Sequence, residues 1–318
     1  MHFNMKTMKD PLEITEAHYR IYNSEGRPAT YDNVTEATRT ADVVFVGEKH
    51  DDPAAHALQA ALLKGIHSLY ARGAESAHER PVILSVEMFE RDVQIVLDEY
   101  LAGLIPEKHF LECSRPWGNY FTDYRPLIEF ARENRIPVIA ANAPRRYVNR
   151  VSRLGPNALN DLPQTAKSWL PPLPYLPASP EYRAKLEAFG KMMMPRGPVH
   201  KKKGEGEHGK DDLTEAESKM QSRMKMGRSH FIEAQSLWDA AMAFSISEAL
   251  RRAPGSVVLS INGNFHSEQG MGIPEHLLHY RPGTHILTVT ILPDAGFPNF
   301  DEKFRGFGDF IIITDPDL

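Results

Sequence analysis

The sequence predicts an α/β protein: a largely parallel sheet flanked by helices, with a mostly helical insertion. Three observations predict it. Short apolar runs ("VVFVGE", "PVILSVEMF", "PVIAANAP", and later "SVVLSING", "HILTVTILP" and "DFIIITD") read as buried strands. Segments with helical spacing separate the first of them, at the distances that βαβ units need. A stretch rich in proline and charge then interrupts the alternation before the later strands arrive.

Taken in order, residues 1–40 are polar, with a short strand expected at His18 to Tyr22 and a turn at Ser24–Glu25–Gly26. "ADVVFVGE" is the first buried strand. In "PAAHALQAALLKGIHSLYARGA", Ala55, Leu58, Leu62, Ile66 and Leu69 recur at three and four, so a helix follows. Asp51 or Asp52 is its natural N-cap, with Pro53 in the first turn. "RPVILSVEMF" is the next strand. "ERDVQIVLDEYLAG" puts Val93, Val96, Leu97, Tyr100 and Leu101 on one helical face and stops at Gly103. "PEKHFLECS" predicts a short helix, "RPWGNYFTDY" an aromatic loop, "RPLIEFARENR" a helix, and "IPVIAANAP" the third strand.

Pro156, Pro163, Pro171, Pro172, Pro174, Pro177 and Pro180 then exclude a continuous helix across 155–180. "EYRAKLEAFGKMM" is helical in pattern. "PRGPVHKKKGEGEHGKDD" is charged, Gly-rich and of low complexity, and its residues 196–212 read as a mobile loop. Within and around it, His200 and His208 are weak metal candidates, and Met192 to Met194 with Met220, Met224 and Met226 form a soft apolar set. A strongly helical segment leads to "FIEAQSLWDAAMAFSISEALRRA", and three strands close the chain. The expected organisation is a core of 1–154 and 230–318 around an insertion at 155–229.

The 318 residues are 42% hydrophobic and 25% charged, an ordinary globular balance. A net charge of −5 gives no reason to expect nucleic acid as a partner. Cys113 is the single cysteine, so no internal disulfide framework exists. The chain shows no signal peptide, no lipobox and no membrane span, which reads as cytoplasmic on sequence.

The chemistry is expected where the strands end. The first strand ends in Gly47–Glu48–Lys49–His50, the second in Glu87–Met88–Phe89–Glu90, the third in Asn142–Ala143–Pro144–Arg145–Arg146, and a later one in Asn262–Gly263–Asn264–Phe265–His266. In a parallel sheet these ends share one edge, where ligands bind. Glu48, His50, Glu87 and His266 are therefore the candidate catalytic set, and His50, Glu87 and His266 the candidate ligands of a divalent metal. The same groups can work without metal, with histidine as general base. Imidazole or tyrosinate can also ligate haem iron, with arginine pairing the propionates. A lone histidine at a strand end is more often ordinary than functional; several polar ends on one edge shift that balance. Glu87, flanked by "VILSV" and "MF", is the strongest single case, because a buried carboxylate needs a partner. His230 and Glu233, at i and i+3, read as surface residues beside a core stripe of Phe231, Ala234, Leu237, Trp238 and Ala241.

Five stretches together resemble one family: "VVFVGEKHDDPAAH", "VILSVEMFERDVQIVLDEYLAG", "WGNYFTDYRPLIEFARENRIPVIAANAPRRYVNRVSRLG", "FIEAQSLWDAAMAFSI" and "VVLSINGNFHSEQGMGIP". The chain is similar to the ChaN-like haem-binding uptake proteins of the Tiki superfamily, which also takes in erythromycin-esterase-like and TraB-like proteins. The resemblance implies an α/β core around two G-x-x-H motifs, carried here by Glu48 and His50, by His266, and by the acidic strand end Glu87. It implies haem as cofactor, a homodimer holding haem at its interface, and a place in the cell envelope, but it transfers no haem-ligand position. Tyr120, Tyr124, Tyr147, Tyr175 and Tyr182 are all available, and Tyr124 and Tyr147, with Arg145 and Arg146 at the third strand end, are the candidate cofactor contacts read from the residues. Other branches of the superfamily are hydrolases, so the alternative function is a metal-dependent or His/Glu general-base hydrolase of a peptide, ester or small molecule.

Overall fold

The computed structural model describes residues 14–70, 79–192 and 230–318. The charged loop at 196–212, both its histidines and the methionines from Met193 to Met226 lie outside the described residues. Eight strands form one sheet: β1 (Tyr19–Asn23), β2 (Pro28–Ala29), β3 (Val43–Glu48), β4 (Val82–Glu90), β5 (Val138–Asn142), β6 (Val257–Gly263), β7 (Ile286–Pro293) and β8 (Phe310–Thr314), in the order β2-β1-β8-β7-β3-β6-β4-β5. From β8 to β5 every pairing is parallel; β1 and β2 add an antiparallel margin.

Strand alternation sends successive side chains to opposite faces. Val44 and Val46 of β3 pack with Leu84 and Val86 of β4 on one face, beneath the helices Pro53–Tyr70, Gln94–Leu101 and Arg125–Glu133. Val43 and Phe45 face the other way, with Ile83 and Val258. There they meet Met242, Ile246 and Leu250 of the long helix Phe231–Arg252 and Leu277 of the helix Ile273–Tyr280. Both faces are covered, which is why the central strands are apolar throughout rather than alternating.

Of the two candidate caps for the helix Pro53–Tyr70, Asp52 is the one used: its Oδ1 accepts from the backbone N–H of Ala54 and Ala55 at 3.0 and 3.2 Å. The short helix after Pro106 is present as Glu107–Ser114. One expectation changes. The aromatic loop coils into a π-helical turn at Tyr120–Tyr124, because Tyr120 and Tyr124 both bury their rings there. Along the proline-rich stretch, helix forms only in pieces, at Pro156–Asp161 and Gln164–Lys167, before the helix Pro180–Met192. Among the described residues no helix is long and apolar enough to cross a membrane.

The topology fixes where a ligand can sit. The chain runs β3 to β4 to β5 toward one side, then returns with β6 between β3 and β4 and places β7 beyond β3. The order reverses next to β3, and the crevice outside the carboxyl ends there is the natural binding position.

Candidate functional site

Two glycines let the strand tips approach. A Cβ on Gly47 would lie 2.4 Å from Asn264 Oδ1, so the end of β3 and the turn after β6 touch only because no side chain intervenes. A Cβ on Gly263 would lie 3.0 Å from His50 Cε1 and 3.2 Å from its Nε2. The His50 imidazole therefore rests against the bare backbone of the second motif.

The two histidines have different surroundings. His50 follows β3, and its side chain is 49% exposed. Its Nδ1 lies 2.9 Å from Glu48 Oε1, and Trp117 meets the ring edge-on with centroids 4.6 Å apart. Glu48 is buried and also accepts from the Tyr124 hydroxyl and the Gln59 amide, while His56 Nδ1 stands 3.3 Å from its second oxygen. Burial alone would raise the Glu48 pKa; the His50 hydrogen bond, the His56 charge and the other donors outweigh it and hold the carboxyl below its usual range. Burial would lower the His50 pKa, and the bond to Glu48 with the charges of Glu87 and Glu48 overcomes this and raises it.

His266 ends a one-turn 3-10 helix and is buried. Its Nδ1 lies 2.6 Å from Oδ1 of Asp239, itself wholly buried, and its Nε2 lies 3.8 Å from Glu87 Oε1. Burial opposes protonation, yet the charges of Asp239 and Glu87 prevail and push the pKa up to about 9. At neutral pH His266 is an imidazolium. Glu87 accepts the Gly263 backbone N–H through its other oxygen at 2.8 Å, so this carboxylate ties β4 to β6.

Glu48, His50, Glu87 and His266 all line a cleft of about 1070 Å³, together with Arg145 and Arg115. That is at the upper end for small-molecule sites. Much of the wall is flat and apolar: Trp117, Trp238, Phe189, Phe265, Leu292 and Pro293. Lys185 sits behind Phe265, with Nζ 4.6 Å from the ring centroid and 3.1 Å from Glu268.

Several expectations need correction. Arg146 does not line this cleft: it pairs with Asp92 at 2.6 Å and stacks over Tyr147 and Trp169, since a local carboxylate and two rings compete for it. Tyr147 packs against the apolar cluster around Val148, Leu159 and Leu170. Tyr124 is buried beneath Glu48, and burial with that carboxylate raises its pKa, so it is a neutral phenol that positions Glu48. Arg145, in contrast, is exposed at the cleft and makes no hydrogen bond or ion pair among the described residues. For the metal set, no group of three or more His, Cys, Asp or Glu side chains among the described residues is arranged to hold an ion. His50, Glu87 and His266 share the cleft, with His266 Nε2 3.8 Å from Glu87 Oε1, but they do not form such a group.

Asp239 escaped the sequence reading. Its signal was present: one acid inside "SLWDAAMAF", where every neighbour is apolar or small. Trp238 read as core, yet it is half-buried and walls the cleft. His230 and Glu233 face each other at 3.9 Å, and neither lines the cleft.

A doubly covered α/β sheet whose carboxyl edge carries an aromatic cleft and two imidazoles defines a small-molecule-binding protein. The chain belongs to the family described as haem-binding uptake, Tiki superfamily, ChaN, whose model matches residues 34–277. The structure of ChaN of Campylobacter jejuni, described as binding haem cofacially, superposes with a TM-score of 0.61. It is 15% identical and the match covers 94% of this chain and 97% of that one, so the fold is shared. A mutant erythromycin esterase in its open conformation gives 0.41 at 12% identity, over 94% of this chain and 83% of that one. No curated protein matches the sequence.

Proposed function

We propose that the strand-tip cleft binds haem and that His50 is the side chain offering a nitrogen to the iron. The observation that carries this is the state of His50: its Nδ1 is held by the buried Glu48, and the ring stands partly exposed in an aromatic cleft. A histidine ligand to a metal commonly donates its other N–H to a carboxylate, which fixes the tautomer and raises the basicity of the free nitrogen. The residues present fit each part of the group. Trp117, Trp238, Phe189 and Phe265 suit a flat apolar ring system, and Arg145, unpaired among the described residues, suits a propionate. Bound haem would supply the iron chemistry; this chain supplies the imidazole, its orientation and a water-poor wall. Membership of a haem-binding uptake family supports the same reading.

The hydrolase alternative gains less from the geometry. His266 and Asp239 have the spacing of an oriented base, but with a pKa of about 9 the imidazole already holds its second proton at neutral pH and cannot accept another.

Haem added stepwise to micromolar protein tests the proposal. A saturable shift of the Soret band is expected. A spectrum equal to the sum of free haem and protein contradicts it.

A further inference from the structure

A second cavity, of about 470 Å³, lies along the outer edge of β5 and shares no lining residue with the haem cleft. Arg91, immediately after β4, lines it. One guanidinium N–H donates to Ser245 Oγ, and Nε is buried with no acceptor. Among the described residues no carboxylate stands within ion-pairing distance of Arg91, an unusual position for a largely desolvated charge.

The acids nearby are committed elsewhere. Glu248 is gripped by Arg251 at 2.9 Å and Arg252 at 3.5 Å, and Asp98 accepts from the Gln94 amide at 2.8 Å. The cavity's own lining thus carries two guanidiniums, Arg91 and Arg252, and two carboxylates, and Glu248 is shared with Arg251 outside it. Arg252 also lines the cavity, and its charge, second to burial, helps to push the Arg91 pKa down to about 10. Arg91 is therefore the lining cation left without an ion-pair partner among the described residues. The remaining wall is apolar: Ile83, Pro137, Ile139 and Ala249, with the Trp169 indole.

We propose that this cavity is a second binding site, for a small organic oxyanion whose carboxylate or phosphate pairs with Arg91 and Arg252 and whose compact apolar body lies toward Trp169. The fork of an arginine suits either headgroup, and each charge-assisted pair is worth more than a neutral hydrogen bond. Gln94 keeps the site open. Its amide donates to the Val138 carbonyl and accepts from the Ala140 N–H, capping the free edge of β5 so that the backbone does not compete for the anion. The site stands whether or not the cleft at the strand tips takes haem.

Benzoate, phenyl phosphate and inorganic phosphate, each titrated by calorimetry into the full chain at low salt, test the proposal. Saturable binding of benzoate or phenyl phosphate is expected, and whichever is tighter identifies the headgroup. Arg91→Met should weaken it about tenfold or more, the scale of one charge-assisted bond. Arg252→Gln, an exposed change that leaves folding intact, should weaken it several-fold and reduce its salt dependence. Haem titration of Arg252→Gln should match the wild type, which separates this site from the other. Absence of saturable binding at millimolar ligand overturns the proposal, as does unchanged affinity in Arg252→Gln.

Discussion

His50 and His266 stand at the same distance past a glycine, on neighbouring strands of one sheet, yet they are chemically different groups. His50 is half in solvent and bonded to one buried carboxylate. His266 is out of solvent, between Asp239 and Glu87, and carries a proton to about pH 9. The motif spacing sets where each ring stands. What sets its protonation is the number of carboxylates within reach and the water around it. In this account His50 offers a nitrogen to a ligand, and His266 is a fixed cation that holds β4, β6 and the helix Phe231–Arg252 together.

The strongest way to break the contrast is to remove the anion that makes His266 a cation. Asp239→Ala leaves a buried charge without its main partner, a change that typically costs about 3–5 kcal/mol; urea unfolding measures it. A cost below about 1 kcal/mol would place His266 in the same class as an ordinary core histidine.

The pH dependence of stability sharpens the same point. The folded pKa of His266 lies above its unfolded value near 6.5, so the stability it contributes is fully present below that value and lost as pH rises through about 9. The loss is on the order of 3 kcal/mol for a buried group with this shift. Urea midpoints should fall across that window in the wild type and fall less in His266→Gln.

Next in size is Gly263→Ala, which tests the contact between the two motifs. The added methyl would press on the His50 ring at 3.0 Å. Haem affinity should drop about tenfold, the effect of disturbing a ligand's support, while the circular dichroism spectrum stays unchanged. Arg145→Gln should act least: an exposed pair is worth up to about 1 kcal/mol, so affinity falls a few-fold and the difference shrinks in high salt.

Much of this was legible before any coordinates. The apolar runs mark the strands because a sheet covered on both faces requires unbroken hydrophobicity. The polar strand tips mark the cleft because strand ends on one edge have to converge. Glu87 was legible as a buried acid that needed a partner, but the partner itself, the Gly263 amide, is set by the β4–β6 pairing, which no local pattern encodes. Asp239 lies on a helix far along the chain, and only tertiary packing brings it beneath His266. The arginines misled for a related reason: Arg145 and Arg146 are adjacent, but consecutive residues on a helix point in different directions, so one reaches the cleft and the other finds Asp92.

The central claim is that His50, and not His266, presents its nitrogen to haem. It is tested most directly by Soret titration of His50→Ala beside His266→Gln, with folding checked by circular dichroism. The account predicts that the folded His50→Ala chain loses the Soret shift while His266→Gln keeps its band position. An unaltered Soret band in His50→Ala would contradict it.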